Sequence, residues 1–320
     1  MKTIGFLISK KENEKRRVLI PKDLINIKNE ACLYFEKGYG KILGYSDEDY
    51  HKMGANIVDR EIIFEKDIIC NIHAPELVEQ TLLYKGKIFF GSIDAVQGRK
   101  IIDFLVNMKM TAISWGKMFE NGRPVLWRNS EIAGEAGIFH AFSYYGRLPY
   151  ECSVAVIGKG NAGSAVVKLL EKMGAKVTVY DRKTVLSLRN ELGKYDVIVN
   201  TVLWDELRKD RLIYRRDLKK MKKGAMIVDI SSNKELEIET SHPTTIANPV
   251  YFVDGILHYA VDHTPTIFWK TATESISREI IKYIDDLVEE NDNKVLKNAT
   301  IIQDGKILDE KIIQFQKRQV

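Results

Sequence analysis

The apolar positions of this chain fall into short continuous runs set apart by charged and glycine-rich punctuation, the pattern of strands buried on both faces of a parallel sheet. Residues 3–8 (TIGFLI) make the first run, and after the charged turn KKENEKRR residues 21–27 read as the start of a helix. Residues 31–34 predict a short strand, and Gly38, Gly40 and Gly44 mark the loop beyond it. Asp47 opens a helix with Ser46 as N-cap and Glu48 and Asp49 in its first turn. Runs at 57–58, 68–72 and 87–90, a helix over 94–109 and a strand over Thr111–Ser114 keep strand and helix alternating, as in a parallel α/β sheet. A turn-rich loop at 120–129 leads to residues 131–145, where Ala133, Gly134, Ala136, Gly137 and Ala141 at helical spacing permit a tightly packed helix.

The stretch from Cys152 to Lys183 organises the rest. An apolar run at 154–157 is followed by Gly158, Gly160 and Gly163, with Lys159, Asn161 and Ala162 between them, and then by a helix over 162–173 that Gly174 stops. A β-branched run at 176–180 ends in Asp181, which is 181 − 158 = 23 residues past the first glycine. The spacing belongs to a dinucleotide site. One glycine makes the tight turn, the next admits a pyrophosphate to the backbone, the third packs helix on strand, and the helix N-terminus holds the anion. The doubly wound pattern continues through 196–202, 225–230 and 251–253, with Asp229 to Ser232, and so Ser231, at the carboxyl end of a strand where such sheets bind ligands. Residues 272–291 predict one long amphipathic helix that returns to the first domain.

Composition narrows the class. The chain has 320 residues, 45% hydrophobic and 29% charged, enough for two domains with a core each. No apolar run approaches about 18 residues, so no membrane span is expected, and the start MKTIGFLISKK is too short an apolar run for a signal peptide. Cys32, Cys70 and Cys152 are scattered and odd in number, which argues against a disulfide framework or a metal site and for a cytoplasmic protein. The net charge of +5 is mild. Basic runs such as Lys10, Lys11, Lys15, Arg16 and Arg17 read as solvated faces or a pocket for an acidic small molecule, and no nucleic acid partner is expected.

The segment IGFLISKKENEKRRVLIP, with Glu14, Arg16 and Pro21, resembles the opening of the alanine dehydrogenase and saccharopine dehydrogenase group. WRNSEIAGEAGIFHAF, YDVIVNTVLWD, KKGAMIVDIS and VDGILHYAVDHTP are similar to the N5-(carboxyethyl)ornithine synthase family within it, and the similarity covers nearly the whole chain. The resemblance implies an opine-type oxidoreductase. Pyruvate or a similar 2-oxo acid condenses with the side-chain amine of ornithine or lysine, and hydride from NADPH reduces the imine. An alanine-type amino acid dehydrogenase is the alternative, and a homo-oligomer is expected.

That chemistry needs a cation for the oxo acid carboxylate, for which Arg16 is the candidate, with Arg123 and Arg128 in the loop where related enzymes place substrate contacts. It also needs a proton shuttle. Family members carry a lysine and, 21 residues later, a histidine; here His73 and Asp94 stand at those positions, 94 − 73 = 21. Either the two form a dyad in which a carboxylate orients an imidazole titrating near neutrality, or the relay is lost and the protein binds ligand without turnover. Asp262 and His263 are expected near the substrate amine. Asp181 alone favours NAD, whereas Arg182 and Lys183 suit the phosphate of NADP, which is the expectation here. The predicted fold is α/β in two domains with a cleft between them: a discontinuous substrate domain of residues 1–130 plus 271–320, and an inserted Rossmann dinucleotide-binding domain of residues 131–270.

Overall fold

The computed structural model describes residues 1–203, 205–232 and 237–318; Trp204, in the segment YDVIVNTVLWD, lies outside the described residues. The chain forms two compact units, Met1–Trp127 with Trp269–Val320 (unit 1) and Arg128–Phe268 (unit 2). In chain order the strands of unit 1 are β1 (Ile4–Phe6), β2 (Leu33–Glu36), β3 (Asn56–Val58), β4 (Ile68–His73), β5 (Ile88–Ser92), β6 (Thr111–Ser114), β7 (Phe119–Glu120) and β8 (Arg123–Pro124). Unit 2 holds β9 (Ser153–Ile157), β10 (Lys176–Tyr180), β11 (Val197–Asn200), β12 (Met226–Asp229), β13 (Val250–Val253) and β14 (Ile256–Tyr259). β15 (Thr300–Gln303) and β16 (Lys306–Ile307) belong again to unit 1.

Unit 1 is built on an eight-stranded sheet in the order β16-β15-β6-β5-β4-β1-β2-β3. β1 to β6 run parallel, and β15 and β16 close one edge antiparallel. Phe89 and Phe90 show why these strands read as unbroken apolar runs. They point to opposite faces and enter two different buried clusters, one with Phe6, Phe35, Tyr39 and Tyr50, the other with Phe64, Leu105 and Ile302. Ile276, Ile280, Ile284, Leu287 and Val288 complete the first cluster from the C-terminal part of the chain.

Unit 2 has the strand order β10-β9-β11-β12-β14-β13, parallel except for β13. The Trp127–Tyr145 helix packs closely because of its small residues. A Cβ on Gly134 would lie 2.7 Å from Val166 Cγ2 and 2.8 Å from the Ala162 carbonyl.

Several elements depart from the sequence expectation. The predicted 94–109 helix begins only at Arg99, because Asp94 to Gly98 close a turn in which Gly98 N donates to the Asp94 carbonyl at 3.0 Å. The strand expected at 31–34 lies at Leu33–Glu36, since Glu30–Cys32 coil into a 3₁₀ turn. The predicted 272–291 helix is Trp269–Ile280 and Ile284–Glu289 joined through 3₁₀ geometry at Ile281–Tyr283; the apolar face is kept while the hydrogen-bond register tightens. Three hairpins went unpredicted. Each turns on a residue in the left-handed region followed by glycine: Asn121-Gly122, Asp254-Gly255 and Asp304-Gly305. Among the described residues no helix is long and apolar enough to cross a membrane, and no group of three or more His, Cys, Asp or Glu could hold a metal ion.

Candidate functional site

Both sheets reverse their strand order beside their first strand, unit 1 between β1 and β4 and unit 2 between β9 and β11. In open α/β sheets such a reversal leaves a crevice at the carboxyl ends of the strands. Arg16 and His73 lie at the first of these places and the glycine turn at the second.

In unit 1 the loop after β1 carries Glu14 and Arg16, and the last residue of β4 is His73. Arg16 Nε donates to Glu14 Oε1 at 2.9 Å and Nη2 to Oε2 at 2.6 Å, a bidentate pair whose carboxylate is wholly buried. His73 Nε2 stands 2.7 Å from Glu14 Oε2 and 3.3 Å from Arg16 Nη2. A bulge between Asn71 and His73 aims the ring there, and it requires Gly91 on β5, where a Cβ would lie 2.2 Å from the Asn71 carbonyl. Burial alone would raise the Glu14 carboxyl, but the Arg16 charge and the bonds from Arg16 and His73 hold it well below the usual range.

The imidazole departs from expectation. Burial pushes it down to about 4; the hydrogen bond to Glu14 opposes this and the Arg16 charge reinforces it. His73 is therefore neutral at physiological pH rather than titrating near neutrality, and the carboxylate set against it is Glu14. Asp94 lies just beyond β5 with its side chain exposed. The adjacent arginines divide their work, since Arg17 turns away from this cluster to donate to the Tyr39 carbonyl at 2.6 Å.

In unit 2 Gly158 takes φ +110, a conformation L side chains rarely adopt, and its Cβ would lie 2.6 Å from Thr201 Oγ1 at the end of β11. A Cβ on Gly163 would sit 2.3 Å from the Gly158 carbonyl. Nothing lies within 4 Å of the Cβ position of Gly160, which precedes the twelve-residue Asn161–Lys172 helix without a side-chain cap. The first N–H groups of that helix, at Asn161, Ala162 and Gly163, thus follow a glycine whose Cβ position is open, which suits the approach of a pyrophosphate. These residues fit a dinucleotide. Asp181 closes β10, and Arg182 and Lys183 after it are exposed. Ser231 donates to the Val202 carbonyl at 2.5 Å, holding the turn after β12 to the one after β11.

The remaining candidates are placed as follows. His263 is buried with Nδ1 at 2.5 Å from Asp262 Oδ1. Arg128 Nη1 is 2.8 Å from Glu131 Oε2 and Nη2 is 3.1 Å from Glu135 Oε2, both on its own helix. Arg123 stacks over Trp127 at 3.6 Å. Glu14, Lys159 and Asp229 also take part, although none of them is among the site residues expected from sequence. Glu14 was visible as the Glu-x-Arg spacing, which puts both side chains on one side of an extended segment. Lys159, inside the glycine turn, reaches Asp181 Oδ2 at 3.0 Å. Asp229 is fully buried and ties β11 to β12, accepting from Asn200 Nδ2 at 2.9 Å and from Ser241 Oγ; burial raises its carboxyl against these bonds.

Residues 8–133 match the family model described as alanine dehydrogenase/PNT, N-terminal domain, and residues 182–314 match the C-terminal domain of the same family. Residues 118–236 match the NAD binding domain of D-isomer specific 2-hydroxyacid dehydrogenase. The chain is 30% identical to the N(5)-(carboxyethyl)ornithine synthase of Clostridium botulinum over 88% of this chain and 93% of that protein. It is 25% identical to alanine dehydrogenase 1 of Staphylococcus aureus over 93% of this chain and 92% of that protein. An L-alanine dehydrogenase structure superposes with a TM-score of 0.82 at 20% identity, covering 98% of this chain and 99% of that one, a likeness of fold.

Proposed function

Because the chain belongs to the N(5)-(carboxyethyl)ornithine synthase family within the alanine dehydrogenase group, NAD(P)-dependent oxidoreductases acting on CH–NH, we propose that it reductively condenses a 2-oxo acid with an amino acid's amine. The oxo acid is pyruvate or a close analogue, the amine is the side-chain amine of ornithine or lysine, and the product is an N-(carboxyethyl) amino acid.

The observation that carries this reading is the buried Glu14–Arg16–His73 cluster at the strand reversal of unit 1. Glu14 fixes the plane of the Arg16 guanidinium, whose fork suits the carboxylate of an oxo acid. With its Nε2–H donated to the ionised Glu14, the neutral His73 carries its lone pair on Nδ1. There it takes the proton that the amine releases on adding to the oxo carbon and hands it to the oxo oxygen, and a second proton, drawn from the medium, lets the resulting hydroxyl depart as water. Asp94 is the second group assigned to proton handling, and Asp262, paired with His263, meets the positive charge of the amino acid. Reduction of the resulting imine draws its hydride from the reduced nicotinamide when that cofactor is bound. NADP is the proposed form. Arg182 and Lys183 follow Asp181, and the Asp181 carboxyl is held far below its usual range by Lys159 first, then by the Lys183 and Thr184 groups that cap onto it.

Incubating the protein with NADPH, pyruvate and either ornithine or lysine, with the product weighed by mass spectrometry, tests the reading. The expected product has the mass of the two substrates plus two hydrogens less one water. Turnover with ammonia as the sole amine would assign the alanine dehydrogenase reaction instead. Cofactor binding with no NADPH consumed across a panel of oxo acids and amines would make the protein a ligand-binding one.

A further inference from the structure

Lys159 sits between the first two glycines of the turn, and its ammonium lies 3.0 Å from Asp181 Oδ2. The other carboxylate oxygen, Oδ1, accepts from Lys183 N at 3.0 Å, Thr184 N at 3.1 Å and Thr184 Oγ1 at 3.0 Å. An acid that selects an unphosphorylated ribose does so by accepting its hydroxyls. Here each oxygen already has a protein donor, and the negative charge already has an ammonium against it. The Lys159 side chain is 60% exposed, so as a fold-holding ion pair the contact contributes little.

We propose that Asp181 serves as a turn cap and as the anchor of Lys159, and that Lys159 joins Arg182 and Lys183 in reading the 2′-phosphate of NADP. Three cations against one carboxylate leave a local charge of +3 − 1 = +2, the complement of a phosphate monoester carrying about −1.5 to −2. The cap keeps Arg182 and Lys183 at the end of β10, and the carboxylate keeps the lysine head on the same side, where the glycine turn meets that strand. NADH offers this cluster nothing to bind.

The inference rests on the NADP reading, and dissociation constants for NADPH and NADH, followed by quenching of protein fluorescence, separate the two. The unsubstituted protein is expected to prefer NADPH. Lys159→Met is expected to weaken NADPH by about ten- to a hundredfold, the loss of one charge-assisted contact, and to leave NADH unchanged, while Lys159→Arg keeps the preference. Asp181→Asn, which retains an oxygen to cap the turn, is expected to leave NADH binding unchanged. A protein that binds NADH more tightly than NADPH overturns both readings. Retention of the full NADPH preference by Lys159→Met, or equal weakening of both cofactors, overturns the role of Lys159 alone. Loss of NADH affinity in Asp181→Asn shows that the acid is a ribose ligand and overturns the cap assignment.

Discussion

His73 Nε2 lies 2.7 Å from Glu14 Oε2, which ties the end of β4 to the loop that follows its sheet neighbour β1. The contact joins a neutral imidazole to an ionised carboxylate that is also gripped by Arg16. The cluster depends on all three members, because each satisfies a buried polar group of another.

Arg16→Met removes the guanidinium and leaves Glu14 buried and charged. Breaking a buried pair from one side costs roughly 3–5 kcal/mol. Thermal or urea unfolding is expected to show a loss of that order, and the double substitution Arg16→Met with Glu14→Leu to recover most of it. If the single variant is as stable as the parent, the pair is not desolvated in solution.

The depressed His73 makes stability depend on pH. Its folded value of about 4 lies below the ordinary 6.5, so the unfolded chain binds more protons between those values and stability rises with pH across that window. The full contribution is present above about pH 6.5 and roughly 3 kcal/mol is lost by pH 4. Glu14, held well below 4.5, adds a further loss as pH falls through its own folded value. Unfolding midpoints taken from pH 7 to pH 4 are expected to decline, and His73→Gln to remove the part of the decline that lies above about pH 4.5. An identical slope in the variant would show that other groups carry it.

Gly163→Ala is expected to abolish tight dinucleotide binding while unit 1 stays intact. The added methyl would sit 2.3 Å from the Gly158 carbonyl, so the turn has to open and the first N–H groups of the Asn161–Lys172 helix lose their aim. Cofactor titration checks this directly, and undiminished affinity would count against the assignment of the glycine turn. Alanine at Gly160, where nothing lies within 4 Å, is the sterically milder control for the protein without cofactor.

Asp229→Ala deprives Asn200 Nδ2 and Ser241 Oγ of a common acceptor in a fully buried place. Two unsatisfied donors at about 1–3 kcal/mol each predict a loss of roughly 2–6 kcal/mol, read as a lower unfolding midpoint. A change below about 1 kcal/mol would show that the turn after β12 relaxes to rescue them.

The glycine turn was legible in the sequence because it is local: strand, turn, helix and acid follow one another in the chain, and backbone sterics dictate their order. The α/β class was legible for the same reason. The grouping of Glu14 with His73 was not, since it depends on β1 and β4 being neighbours although β2 and β3 lie between them in the chain. No period or propensity encodes that adjacency. The depressed imidazole was hidden too, because it follows from burial, which the residue type does not disclose. The break at Ile281–Tyr283 escaped because Ile280, Ile284 and Val288 keep helical spacing whether or not one turn tightens between them. The hairpins did leave a signal in their Asn-Gly and Asp-Gly dipeptides, which at Asn121-Gly122 and Asp304-Gly305 was easy to pass over because strands of two residues, Phe119–Glu120, Arg123–Pro124 and Lys306–Ile307, carry no hydrophobic run.

Unit 1 is also divided in time. Its sheet gains β15 against β6, yet Thr111–Ser114 leaves the ribosome long before Thr300–Gln303 exists, with all of unit 2 synthesised in the interval. Until then one flank of β6 exposes unpaired backbone donors and acceptors, and the apolar surface later covered by Ile276, Ile284 and Val288 is bare. The nascent protein therefore passes through a stage in which the nucleotide-binding unit is complete and the other is still open to wrong partners. Variants that slow the closing of this edge are expected to reduce soluble yield without changing the finished molecule.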